Sequence, residues 1–208
     1  MKIQIIAEGP SDRRILRALI RRISKGIDIE VIEESKTQMK RRGKQSILLE
    51  YDIFAKFLHH SYSKQVDIIV ICVDNNGENV QSGVNINTKN KLNRSIENFK
   101  IKNKEKYSNI DPEFVIAIPV QTMDYWMRGV DEPDDNCRRI RKIEEINKDL
   151  IKSVTYGAQN VFGGWIIDGK EITKKIEKIK NDHLILEKLR CFPSFLDFEQ
   201  QLKKAVKI

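Results

Sequence analysis

The chain has 208 residues, 38 Lys and Arg against 30 Asp and Glu, a formal net charge of +8, and 40% hydrophobic residues. That apolar content excludes a wholly disordered chain, and at this length about 70% of the unfolded surface is buried on folding, so a core needs no disulfide scaffold. The best apolar runs, 68–73 and 114–120, fall far short of the ~20 residues of a bilayer span, and neither a signal peptide nor a membrane partner is expected.

Residues 3–7 read as a strand that ends in the breaker-rich turn Glu8-Gly9-Pro10-Ser11-Asp12. Ser11 is the expected N-cap of a helix over 12–25. That helix carries Ile15, Leu16, Leu19, Ile20 and Ile23 on one side and Arg13, Arg14, Arg17, Arg21 and Arg22 on its outer faces. A short strand follows at 29–32. A basic loop then holds five cations in the nine residues 36–44. Residues 46–58 read as a helix. Asp67–Val73 is a β-branched run suited to a strand buried on both faces, and it ends at Asp74-Asn75-Asn76-Gly77. A charged surface helix is expected over 88–104, a third buried strand at 114–118, and a helix from 121.

Past residue 130 the character changes. An acidic linker, 131–135, leads to the basic Arg138–Lys142, and residues 157–170 hold four glycines and a Trp and read as loop. Two helices are expected at 171–190 and 194–205, the second capped by Ser194. Repeated strand–turn–helix units predict an α/β fold with a mostly parallel sheet, helices on its faces, and a helical extension over 131–208 packed on a core of 1–130 as one globular unit.

The three cysteines, Cys72, Cys137 and Cys191, are widely spaced and show no metal-ligand spacing. Their odd number argues against a disulfide framework. A reduced, cytoplasmic chain is expected, with Cys72 packed as a small hydrophobe. His59 and His60 point to different sides of a helix and read as surface residues, as does His183. Tyr125 and Trp126 read as core aromatics.

In parallel sheets, ligands bind at the carboxyl ends of the strands. Glu8, Asp74 and Asp124 each follow a buried strand and are expected to converge on that edge. Carboxylates from separate loops suit Mg²⁺ or Mn²⁺, which take oxygen ligands and activate water against a phosphodiester. A structural alternative makes Asp12 and Glu8 first-turn acids favoured by the helix dipole and Asp74 a turn residue.

Ile5-Ile-Ala-Glu-Gly-Pro-Ser-Asp12 resembles the first motif of TOPRIM domains, in which a Glu closing the first strand is followed by Gly and a Ser/Thr–acid pair. Ile68–Asp74 resembles the second, an apolar strand closed by Asp-x-Asp, with Asn76 in the place of the second Asp. The outline is similar to small stand-alone TOPRIM-like proteins of bacteria and phage related to OLD nucleases. It extends to Arg42-Gly-Lys44, to Ile118–Trp126 (with Asp124 where the family usually has Glu) and to Cys191–Phe195.

The resemblance implies a divalent-metal-dependent nuclease or related phosphodiester-processing protein acting in phage–host conflict, on DNA ahead of RNA. Glu8 would be ligand or general base, Asp74 and Asp124 ligands, Asn76 a weaker ligand and Asp12 a support. Lys36, Lys40, Arg41, Arg42 and Lys44 would contact phosphates, adding affinity without sequence preference. The alternative implied by Asn76 and Asp124 is a non-catalytic subunit of the same fold that binds nucleic acid or a partner protein.

Overall fold

The computed structural model describes residues 1–32, 51–74, 86–119, 123–133, 135–145 and 169–208. Four strands, β1 (Lys2–Ala7), β2 (Glu30–Ile32), β3 (Ile68–Cys72) and β4 (Glu113–Ala117), form one sheet in the order β2-β1-β3-β4. All pairings are parallel, with Ile3 against Ile68 and Ile71 against Ile116. β3 is buried along its whole length, as its unbroken Ile-Ile-Val-Ile-Cys run requires: a two-sided strand has no face for polar residues.

Strand alternation divides the core in two. Ile3, Ile5, Val70, Cys72, Val115 and Ala117 face one layer. It is filled by α1 (Pro10–Ile23), α4 (Met123–Val130), α5 (Cys137–Arg141), α6 (Gly169–Asn181), α7 (Ile185–Arg190) and α8 (Pro193–Val206). Ile6, Ile69, Ile71 and Ile116 face the other layer, filled by α2 (Tyr51–Ser63) and α3 (Ile86–Lys102). The α/β sheet with helices on both faces is as the sequence predicts. The helices after residue 130 share the larger core with the sheet.

Several local readings need correction. α1 starts at Pro10, with Gly9 in extended conformation at the N-cap, so Ser11 lies inside the first turn. Proline at the first helical position forfeits only an N–H that the helix leaves unbonded anyway. α8 likewise starts at Pro193 with Phe192 at the N-cap. Ser194 serves the core instead, its Oγ accepting Trp126 Nε1–H at 3.0 Å. Trp126 is fully buried and packs edge-on against Phe195 and stacked against Phe198, so the core reading of Trp126 and Tyr125 holds.

The helix expected over 171–190 is two helices. Asp182 breaks it, because its Oδ1 accepts Leu184 N–H at 2.9 Å and its Oδ2 accepts Lys188 Nζ at 2.6 Å. Such a side-chain turn competes with the helical backbone bond. The acidic stretch after α4 is a set of ties to neighbouring helices. Asp131 pairs with Lys175 and Lys178 of α6, and Glu132 with Arg139 of α5.

Cys137 and Cys191 are joined by a disulfide across a sequence separation of 54. This overturns the expectation of three separate thiols, because the turn after α7 meets the start of α5 and sequence spacing does not report that approach. Cys72 is free and buried, as expected. His59 is half-buried, its Nδ1 2.8 Å from the Tyr107 hydroxyl and its ring edge-on to Phe99; its partners come from α3 and the segment after it, which helical periodicity leaves out. His60 is also half-buried, whereas His183 is exposed as expected. Among the described residues no helix is long and apolar enough to cross a membrane.

The outer edge of β4 is closed by a side chain. Gln201 of α8 accepts Ile116 N–H at 3.0 Å through Oε1 and donates to Ile116 O at 3.1 Å through Nε2. One amide so supplies both bonds a fifth strand would make there, which blunts an edge open to pairing.

Candidate functional site at the carboxyl edge of the sheet

The parallel arrangement puts the ends of β1, β3 and β4 on one edge. Glu8 follows β1, Asp74 lies two residues past β3, and Asp124 sits in the first turn of α4, which β4 feeds. Hydrogen bonds join the three chain segments in series. Asp74 N–H donates to Glu8 Oε1 at 3.1 Å, and Met123 N–H donates to Asp74 Oδ1 at 3.1 Å. Asp74 thereby caps α4 from a different part of the chain and satisfies one of the N–H groups that a helix start leaves open.

Asp12 completes the group from the first turn of α1. Gly9 matters here for space and not for backbone freedom. Its φ of −129° is ordinary, but a Cβ at this position would lie 3.0 Å from Asp12 Oδ2. The glycine lets the Asp12 carboxylate fold back against the strand end.

The electrostatics reflect the crowding. The Asp74 carboxyl is held well above the usual carboxylate range, first by burial and then by Asp12, Glu8 and Asp124; the Met123 N–H opposes this only in part. The Cys72 thiol is pushed up by burial and by the field of Asp12, Asp74 and Glu8. Asp124 is buried, at 6% exposure. At Asp74, burial and the field of the three neighbouring acids favour a proton on its carboxyl or a positive charge beside it.

The donor set is all oxygen, the chemistry a hard divalent cation takes. Glu8 and Asp74 each turn one oxygen onto a backbone N–H. Among the described residues no group of three or more His, Cys, Asp or Glu is arranged to hold a metal ion. The fit to a cation is therefore one of residue type and charge rather than of a preformed cage.

Of the expected site residues, the structure brings together Glu8, Asp12, Asp74 and Asp124. Asn76 and the basic set Lys36, Lys40, Arg41, Arg42 and Lys44 lie outside the described residues. Met123 is a site component that sequence reasoning missed. Its contribution is a backbone N–H, and the signal available was only that a helix must begin just after β4. Comparison with protein-family models, curated proteins and solved structures returned no match.

Proposed function

We propose that the chain is a TOPRIM-like, divalent-metal-dependent nuclease or a closely related phosphodiester-processing protein. The observation that carries the reading is the gathering of Glu8, Asp12, Asp74 and Asp124 at the carboxyl edge of an all-parallel sheet, with Asp74 held above the usual carboxylate range by burial and then by the other three. Glu8, Asp74 and Asp124 would hold Mg²⁺ or Mn²⁺, with Asp12 in support. The ion supplies Lewis-acid polarisation of a phosphoryl oxygen and a more acidic water. The chain's own contribution is positional. Asp74 ties β3 to α4, Glu8 ties β1 to Asp74, and Gly9 keeps room for Asp12. A place in phage–host conflict, with DNA ahead of RNA as substrate, belongs to the same proposal.

A second reading, a non-catalytic subunit of the same fold, is favoured by a specific observation. The acceptor oxygens named above are already spent on backbone N–H groups, and a half-buried, crowded Asp74 is also stabilised by simply keeping a proton. One experiment separates the two. Plasmid, single-stranded DNA and RNA are incubated with the protein in Mg²⁺ and in Mn²⁺, beside Glu8→Gln, whose amide oxygen can still accept the Asp74 N–H. Cleavage by the wild type that vanishes in the variant supports the nuclease. No cleavage of any polymer, with both proteins alike, moves the assignment to the binding subunit.

A further inference from the structure

The arginines of α1 form a second feature that the carboxylate site does not use. Arg14, Arg17 and Arg21 recur at helical spacing along one side of α1, and Lys25 continues the line past its end. Opposite them runs α6. Arg14 Nη2 donates to Thr173 Oγ1 at 3.1 Å near one end, and Arg22 donates to the carbonyl oxygens of Lys180 and Asp182, both at 3.1 Å, near the other. Between these two clamps lies a groove of about 440 Å³ floored by Ala18 and Ile176. Arg14, Arg17, Arg21, Arg22, Lys25 and Lys180 line it, and among the described residues no Asp or Glu does.

We propose that this groove is a binding track for the sugar–phosphate backbone of a nucleic acid, leading along α1 away from the carboxylate edge. The choice of a nucleic acid as partner rests on the function proposed above; the groove itself does not.

Three observations favour this partner. Arginine dominates the lining, and its planar fork pairs with phosphate oxygens in a way a lysine point charge does not. The cations are strung out rather than clustered. From Arg14 to Lys25 the line spans about 16 Å at 1.5 Å per residue, roughly the rise of five nucleotide steps of one strand. Finally, the line starts beside the candidate site: Arg14 lies one turn into the helix whose N-cap, Gly9, adjoins Glu8. A lipid surface is a poorer fit, because the large exposed apolar residues among those described, Met1, Ile101, Leu196 and Ile208, all lie outside the groove lining.

The division of labour within the groove is also readable. Arg22 is half-buried and holds the end of α6, so its loss would disturb packing. Arg21, Lys25 and Lys180 are exposed, and the Lys180 ammonium pairs at the surface with Glu177. These three are the positions for removing charge without removing structure.

The test uses the full chain in EDTA, so that neither metal nor cleavage enters. Binding of fluorescein-labelled single-stranded and duplex DNA oligonucleotides, and of the matching RNA, is followed by fluorescence polarisation across a KCl series. The triple variant Arg21→Gln/Lys25→Gln/Lys180→Gln is expected to melt like the wild type and to lose about tenfold or more in affinity. Its log–log salt slope should flatten by about 0.7–0.9 for each phosphate that is no longer neutralised. Arg21→Lys, which keeps the charge and loses the fork, should fall between the wild type and Arg21→Gln in affinity while keeping the wild-type salt slope, and Asp67→Asn, exposed at the opposite end of β3, should bind as the wild type does.

A triple variant that keeps its fold and binds within twofold of wild type overturns the proposal. So does a wild type that binds none of the oligonucleotides, or that binds phosphatidylserine–phosphatidylcholine vesicles or polyglutamate in their place. The outcome is separable from the nuclease assignment. Loss of binding in the triple variant without any cleavage by wild type leaves the track standing and removes the nuclease. Cleavage that needs Glu8, with binding untouched in the triple variant, does the reverse.

Discussion

Asp67 and Asp74 bracket the same strand, β3, and do superficially the same thing. Asp67 Oδ2 accepts Lys2 N–H at 2.7 Å at the amino end, and Asp74 Oδ1 accepts Met123 N–H at 3.1 Å at the carboxyl end. Asp67 is exposed and serves as a local tie between the starts of β1 and β3. Asp74 is half-buried among Glu8, Asp12 and Asp124, which with burial push its carboxyl upward. The difference does not come from residue type or from the hydrogen bond. It comes from which end of a parallel sheet gathers the turns that begin helices.

The sharpest way to break the comparison is by activity. Asp74→Ala or Glu8→Gln should lower metal-dependent cleavage by about 10³-fold, the equivalent of ~4 kcal/mol of lost transition-state stabilisation. Asp67→Asn should leave it within about twofold of wild type. Equal losses from both ends of β3, measured as initial rates on one labelled substrate, would remove the functional distinction.

Next in size is cation binding. Mg²⁺ at a hundred times its dissociation constant should stabilise the wild type by about 2.7 kcal/mol, read as a rise in Tm. Asp67→Asn should show the same rise and Asp74→Asn little or none.

A smaller effect is the pH dependence of stability. A carboxyl whose folded pKa lies above its unfolded value binds more protons in the native state. Its contribution is therefore most favourable below the unfolded value near 3.8 and declines as pH rises from there to the raised folded value. Asp74→Asn keeps an acceptor for Met123 N–H and removes the charge. It should raise Tm at neutral pH, by about 2–4 °C for each kcal/mol of repulsion relieved, and flatten that decline. An unchanged pH–Tm profile would mean that Asp74 is not the crowded group. The smallest change belongs to Asp67→Ala, about 0.5–1 kcal/mol by denaturant titration, since water replaces an exposed acceptor.

Much of the fold was legible because it rests on local patterns. The β1, β3 and β4 runs are apolar and β-branched, and they end in polar turns within a residue or two of where the structure ends them. The apolar stripe of α1 is buried as its spacing requires. The readings that failed depend on partners distant in sequence. Ser194 looks like a cap until Trp126 claims its hydroxyl. The split between α6 and α7 depends on Asp182 turning back to Leu184 and reaching Lys188. The Cys137–Cys191 bond joins residues that nothing in their spacing connects.

The same division holds for the candidate sites. Residue types and strand ends by themselves determined that Glu8, Asp74 and Asp124 would stand on one edge, because parallel strands present their carboxyl ends together. They also determined that α1 would carry its arginines outward, because 3.6-residue periodicity sorts them from the apolar stripe. Only the tertiary structure decided that Asp74 caps α4. It alone decided that α6 lies beside the arginines to make a groove of an otherwise ordinary charged face. Those outcomes rest on hydrogen bonds and packing between elements up to 160 positions apart, and a local pattern carries no record of such distances.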